Sequence, residues 1–247
     1  MTIKVSDLRL KKGSVEILKK ISCEFGDGEL SCIIGRNGSG KSMLLKSLLD
    51  LEKSAGKIGF STEERLAYIP QKMPQDQQLT VFEFVLLGLY GQLGWHVSSE
   101  QRNWVNSVLE DLDLLGLAER KMMALSGGQQ QLVVLAQALV RRPTVIIADE
   151  PTSALDLNKQ LEYLRILRDY IHRHGIVGII VIHDLTLTAR FADRVYLMEK
   201  GKMLASGTPG EVLEKKRLEK LYQVDIELLE SSDRHLVVVP VEAKGEE

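Results

Sequence analysis

The chain has 247 residues, 44% of them hydrophobic, and a formal net charge of −2 from 32 Lys and Arg against 34 Asp and Glu. That is enough apolar material for a full core, and it excludes a largely disordered chain; without a basic block or net positive charge, DNA or RNA is not an expected partner. No apolar run is long enough to cross a bilayer, the longest, Ile176 to Ile182, being broken at Gly178. The opening Met-Thr-Ile-Lys-Val-Ser-Asp lacks the apolar stretch of a signal peptide, so a cytoplasmic location is expected, and Cys23 and Cys32 read as reduced core thiols.

Residues 2 to 34 alternate apolar and polar in short runs, predicting antiparallel strands with a turn at Gly26-Asp27-Gly28 and a buried strand at Leu30 to Ile34. There follows Gly35-Arg36-Asn37-Gly38-Ser39-Gly40-Lys41-Ser42, which matches G-x-x-x-x-G-K-[ST] and runs into a helical stretch, Met43 to Leu49. Strand, glycine-rich loop and helix in that order make a P-loop. The loop N–H groups and the helix N-terminus face phosphate oxygens, Lys41 reaches the β- and γ-phosphates, and the Ser42 hydroxyl reaches Mg²⁺. Two more strands are expected at 56 to 60 and 66 to 69, the second ended by Pro70-Gln71, and then an exposed loop at 72 to 78. From Thr80 to Arg142 the period becomes helical, with Val81, Phe84, Val85 and Gly88, then Trp104, Val105, Val108 and Leu112, then Leu132, Val133, Leu135, Ala136, Leu139 and Val140 on apolar faces. Strand signals return at 145 to 148, 176 to 182 and 194 to 198, separated by a helix carrying Leu157, Leu161, Leu164 and Ile171 and a shorter one from Leu185 to Phe191. Strands alternating with helices imply a parallel sheet and an α/β fold. The tail from 202 holds a strand, a helical stretch through Val212, Leu213, Leu218 and Leu221, a hairpin ending at Val237-Val238-Val239, and an unstructured end from Ala243 to Glu247.

Four apolar residues at 145 to 148 end in Asp149-Glu150. A buried strand running into two acids is costly unless the charges have a task. Beside the P-loop strand, Asp149 would serve the Mg²⁺ shell, directly or through water, and Glu150 would orient and deprotonate the attacking water. Capping of the next helix falls better to Asp156, just before Leu157. Leu125-Ser126-Gly127-Gly128-Gln129 opens another helix and offers a second anion cradle, one hydroxyl plus several N–H groups. One P-loop needs no second cradle, so this one is expected to close over the nucleotide held by another copy.

Taken together, these stretches resemble the nucleotide-binding subunits of ABC transporters from about residue 3 to about residue 240. Gly35 to Ser42 is similar to their Walker A, Gln71 to the Q-loop glutamine, Leu125 to Gln129 to the signature, Val145 to Glu150 to Walker B, Ser153-Ala154-Leu155-Asp156 to the D-loop, and His183 to the switch histidine. The resemblance implies a RecA-like P-loop NTPase core (1 to 72 and 143 to 247) with an N-terminal antiparallel β-subdomain, and an inserted helical subdomain at 73 to 142. It also implies a head-to-tail homodimer that encloses two ATP with Mg²⁺ and drives a membrane partner. In that arrangement Glu150, His183, Gln71 and Lys41 carry catalysis, Ser42, Gln71 and Asp149 the metal, and Ser126 to Gln129 with Asp156 meet the partner's nucleotide.

Leu79 to Tyr90, with Leu93-Gly94-Trp95 after it, resembles importers for iron-siderophore, haem, cobalamin and related metal complexes, whose usual form here is T-V-x-E-x-V-x-L-G-R-Y. That likeness implies two permease subunits docked around 72 to 90 on the cytoplasmic face, and indirectly a substrate-binding protein. Soluble ABC ATPases acting without a permease, in cofactor assembly for example, and exporter subunits are the alternatives. Met43 replaces the usual Thr, Leu89 and Gln137 stand where Arg is common, removing charge from the groove and the signature helix, and Lys12 stands where an aromatic ring usually meets adenine.

Overall fold

Residues 1–61, 63–71, 78–92, 94 and 96–244 are described in the computed structural model. The expected loop at 72 to 78, except for its last residue, lies outside them, as do Leu93, Trp95 and residues 245–247. In chain order the elements are β1 (Ile3–Lys12), β2 (Val15–Phe25), β3 (Leu30–Ile34), α1 (Lys41–Leu48), β4 (Ala55–Phe60), β5 (Leu66–Ile69), α2 (Val81–Leu86), α3 (Ser99–Asp111), α4 (Gly127–Leu139), β6 (Val145–Asp149), α5 (Leu157–His174), β7 (Val177–Val181), α6 (Leu185–Phe191), β8 (Arg194–Glu199), β9 (Lys202–Gly207), α7 (Pro209–Val212), α8 (Lys215–Tyr222), β10 (Val224–Glu230) and β11 (Leu236–Ala243). They form two compact units, residues 1–63 with 168–247, and residues 64–167.

In the first unit, β1 pairs antiparallel with β2 on one side and β4 on the other. The buried set along β1 changes phase, from Ile3 and Val5 to Leu8 and Leu10. A phase change of one residue would turn half the strand outward, but an irregularity between Val5 and Leu8, with Asp7 at φ 51°, absorbs it and keeps both pairs on the core face. β3 runs parallel to both β7 and β8, and β9 adds an antiparallel edge to β8. Every residue of β3 and β7 is buried, as expected of parallel strands covered on both faces.

The carboxylate of Asp193 ties this sheet to the end of α5: it accepts the Leu30 N–H at 2.8 Å, Arg168 at 2.8 Å and His172 at 2.7 Å. The tail differs from its expected form in two places. The helical stretch is split into α7 and α8, because Leu213 leaves the helical backbone at ψ 53° after a turn capped by Thr208 and Glu211. Ala243 is not part of an unstructured end; it pairs with Val224 in the β10–β11 hairpin, and the next N–H, of Lys244, donates to Gln223 O at 2.9 Å.

In the second unit β5 and β6 are parallel, from Leu66 opposite Val145 to Ile69 opposite Ala148. Helices α2, α3 and α4 each begin with a reciprocal capping box, Thr80 with Glu83, Ser98 with Gln101, and Ser126 with Gln129. Gly88 lets the end of α2 approach α4, since a Cβ there would be driven into the Gln137 carbonyl oxygen. Gln137 completes the contact by donating Nε2–H to Phe84 O at 2.9 Å. Trp104 donates its indole N–H to Val140 O at 2.7 Å, and its ring carries the Arg142 guanidinium at 4.2 Å.

Two expectations are corrected here. Leu89 is 4% exposed and belongs to the helical core, so its apolar character serves packing and removes no charge from a surface groove. Leu157 is 65% exposed: Asp156 Oδ1 accepts the Lys159 N–H at 2.9 Å and starts α5 there, which leaves Leu157 on the outer side of the first turn.

Candidate functional site

The first unit carries the loop from Gly35 to Ser42 between β3 and α1. Gly35 (φ 147°), Gly38 (φ 75°) and Gly40 (φ 103°) adopt backbone that side chains rarely allow. At Gly35 space forbids one as well, because a Cβ would be pressed into the carbonyl oxygen of Met198 on β8. Helix α1 opens on Gly40, which has no side chain to cap it, in contrast to α2, α3 and α4. Lys41 is 6% exposed and its ammonium donates to Gly35 O at 2.8 Å and Arg36 O at 3.2 Å, which holds the charge inside the curl of the loop. Ser39 O accepts the Gly201 N–H at 3.0 Å, while the Ser39 hydroxyl is buried with no hydrogen-bond partner. A buried cation, an unpartnered hydroxyl and an uncapped helix start fit a bound polyphosphate.

His183 follows β7 and is exposed, and Asp184 next to it caps α6 by accepting the Leu187 N–H at 2.8 Å. The tail reaches this side of the unit too. Burial pushes the Tyr222 phenol up to about 12, and the nearby Gly35 backbone acts against that rise.

The second unit carries the acids. β6 is buried to its end at Asp149, itself 7% exposed. Glu150 then takes a left-handed backbone at φ 51°, rare for a residue with a side chain, and the turn is held by the Ser153 hydroxyl and N–H, which donate to Glu150 O at 3.1 and 3.3 Å. Gln71 donates its side-chain N–H to Glu150 Oε2 at 2.7 Å. An amide in that orientation leaves its carbonyl oxygen available to a cation. That oxygen and the Asp149 carboxylate, both in this unit, are donors of the kind Mg²⁺ takes alongside phosphates.

Ser126 and Gln129 lie in the same unit. Their capping box uses the Ser126 oxygen as an acceptor for the Gln129 N–H at 3.4 Å, which leaves the hydroxyl proton able to reach an anion. The stem of Lys159, from the first turn of α5, covers Gly128: a Cβ on that glycine would come within 3.0 Å of Lys159 Cγ. The structure thus joins Gln71 to Glu150, and the D-loop helix to Gly128, within one unit. The cover that Lys159 gives Gly128 has no signal in the sequence, because the two residues lie far apart in the chain.

A model of the ABC transporter family matches residues 18–153. An uncharacterised ABC transporter ATP-binding protein of Methanocaldococcus jannaschii is 34% identical over 253 residues, covering 98% of each chain. The hemin import ATP-binding protein HmuV of Shewanella denitrificans is 33% identical over 255 residues, 96% of this chain and 99% of that one. Among solved structures, a chain of a metal-chelate type ABC transporter in an inward-facing conformation matches with a TM-score of 0.88 at 25% identity, covering 97% of both chains.

Proposed function

The chain belongs to the ATP-binding proteins of the ABC transporter family, and from that membership we propose that two copies, head to tail, hydrolyse ATP to power import of a metal complex through a membrane permease. The observation that carries the catalytic part is Glu150, set in a strained backbone at the end of a buried strand with its carboxylate held by Gln71 at 2.7 Å. A carboxylate fixed by a second side chain is ready to orient a water and take its proton.

In this reading Gly35, Arg36, Asn37, Gly38, Ser39 and Gly40 wrap the β- and γ-phosphates with backbone N–H groups, and Lys41 neutralises the charge that grows there. Mg²⁺, held by Ser42, Asp149 and Gln71, would draw charge from the phosphate oxygens. His183 reaches the γ-phosphate side, while Ser126, Gly127, Gly128 and Gln129 of the other copy close over the nucleotide with Asp156 beside them. Gln71, shared between metal and Glu150, would report nucleotide state to the helical subdomain at 73 to 142.

The import direction rests on relatives named for hemin import and for metal-chelate transport, and on the segment from Leu79 to Tyr90. Among the described residues no helix is long and apolar enough to cross a membrane, which suits attachment to a permease at the cytoplasmic face.

Glu150→Gln tests the proposal. The variant should keep ATP binding, lose roughly 10²–10⁴-fold in turnover, and elute as a dimer with Mg²⁺ and ATP but as a monomer without them. A variant that stays monomeric at saturating ATP, or hydrolyses it at the wild-type rate, would sink this assignment.

A further inference from the structure

Two helix starts in the second unit are built alike. Ser126 caps α4 and Asp156 caps α5, and four residues after each cap comes a glutamine whose side-chain amide turns back on the preceding loop. Gln130 donates Nε2–H to Met122 O at 2.9 Å and Leu125 O at 3.4 Å, and Gln160 to Thr152 O at 3.2 Å and Leu155 O at 3.0 Å. Tying two loop carbonyls to the first turn of the helix that follows makes each loop and helix start one stiff corner. Ser126 and Gly127 are exposed at one corner and Asp156 at the other.

Lys159 joins the corners. A Cβ on Gly128 would lie 3.0 Å from its Cγ and 3.2 Å from its Cδ, whereas a Cβ on the neighbouring Gly127 would meet nothing within 4 Å, so the stem rests on α4 at the second glycine. The ammonium is held by Glu162 Oε2 at 2.6 Å, on α5 itself. Helix stability does not call for this residue. A cation in the first turn opposes the helix dipole, and an ion pair between side chains 37% and 34% exposed contributes little. What the arrangement does supply is a stem fixed over Gly128.

We propose that Lys159 is a positioning residue for the half-site this chain offers to the other copy. Its stem seats the start of α5 on the start of α4, so that Asp156 and the stretch from Ser126 to Gln129 meet the partner's nucleotide as one rigid surface. The ammonium, held by Glu162, keeps the stem extended over the glycine and brings no charge to the phosphates. Without the stem the two corners are ordered separately when the dimer closes, a cost that falls on association and leaves the nucleotide grip of the P-loop unchanged. The inference rests on the head-to-tail ATPase reading given above.

The test uses the full chain with Glu150→Gln as parent, so that hydrolysis does not consume the ATP-bound dimer. To it is added Lys159→Ala, which removes the stem, or Lys159→Met, which keeps most of the stem without the charge. Dimer dissociation constants at saturating Mg-ATP come from sedimentation equilibrium. ATP affinity comes from titration calorimetry without Mg²⁺, where the chain is expected to stay monomeric. Lys159→Ala should raise the dimer dissociation constant by about tenfold or more, since both half-sites of a two-fold dimer lose their seat, with ATP affinity and melting temperature close to the parent. Lys159→Met should stay within about threefold of the parent. An alanine variant that dimerises like the parent overturns the seat. A methionine variant as weak as alanine overturns it too, because the charge and not the stem would then be the working part. Equal losses in dimerisation and ATP affinity, with a lower melting temperature, would mark a merely structural role and have the same result. A Glu150→Gln parent that stays monomeric at saturating ATP overturns the head-to-tail reading instead, and the seat with it.

Discussion

Lys12 stands where the family resemblance implies an aromatic ring for adenine, and in the structure its ammonium lies 2.6 Å from Glu52 Oε1. Both side chains are partly exposed, so the pair contributes at most about 1 kcal/mol and little stands in the way of replacing it. A stacked ring is worth roughly 1–3 kcal/mol, of which a lysine stem recovers only part. Wild type should therefore bind ATP and GTP with similar affinity, and Lys12→Tyr should tighten ATP by about tenfold in calorimetric titration. A strong preference for ATP in wild type together with an unchanged variant would mean that another group holds the base. Asp193 makes a different prediction. Burial alone would raise its pKa, but bonds from His172, Leu30 N–H and Arg168 outweigh that and hold it below 3.8. The folded state then favours the ionised form, and the stabilisation is complete above the unfolded value near 3.9 and lost as pH falls through the lower folded one. Asp193→Asn should cost roughly 2 kcal/mol at neutral pH and flatten the acid limb of stability, read from urea melts between about pH 2 and 6. Neither Glu52 nor the trio around Asp193 is legible in the sequence, because each contact joins residues far apart in the chain.

Local chemistry made many elements readable, and tertiary packing hid the rest. The strand, glycine loop and helix at Leu30 to Leu48 follow from apolar runs and turn residues, and Ser98-x-x-Gln101 and Ser126-x-x-Gln129 carry their capping boxes in plain spelling. The phase change in β1 and the exposure of Leu157 do not, since an Asp with left-handed backbone and a cap one residue earlier reassign which side is inward. The tail shows the same limit: Leu213 looks helical by spacing, yet backbone geometry ends α7 before it. At the end of α8, Gln223 is the C-cap at φ 57°, ψ 46°, donating its N–H to Glu219 O at 2.9 Å. A glycine occupies that left-handed position without the Cβ cost, so Gln223→Gly should stabilise the chain by about 0.5–1 kcal/mol. That corresponds to a melting temperature about 1–4 °C higher in a domain of this size. A lower melting temperature would show that the glutamine side chain makes a contact worth more than the strain it imposes.

At the scale of the whole molecule, the proposed transport reading needs a surface for the permease, and we propose the stretch from α2 to Tyr90, on the contrast between its buried and exposed side chains. Val81, Phe84, Val85 and Leu89 are buried and account for the apolar pattern as helical core, whereas Leu87 and Tyr90, in the same stretch, are 44% and 78% exposed. Two large apolar side chains turned to solvent are better explained by a partner than by stability. Substitutions at exposed positions usually change stability by less than about 0.5 kcal/mol. The double variant Leu87→Ser, Tyr90→Ser should therefore fold, bind ATP and hydrolyse it as wild type does when assayed alone. In vesicles carrying the permease pair and the binding protein, the same variant should lose at least about tenfold of ATP-driven uptake, the loss of roughly 1.4 kcal/mol of docking energy. Full uptake with this variant would place the permease contact on another face. A variant that lost hydrolysis in isolation would instead tie the two side chains to the catalytic cycle, against the separation of coupling surface and nucleotide chemistry argued from their exposure.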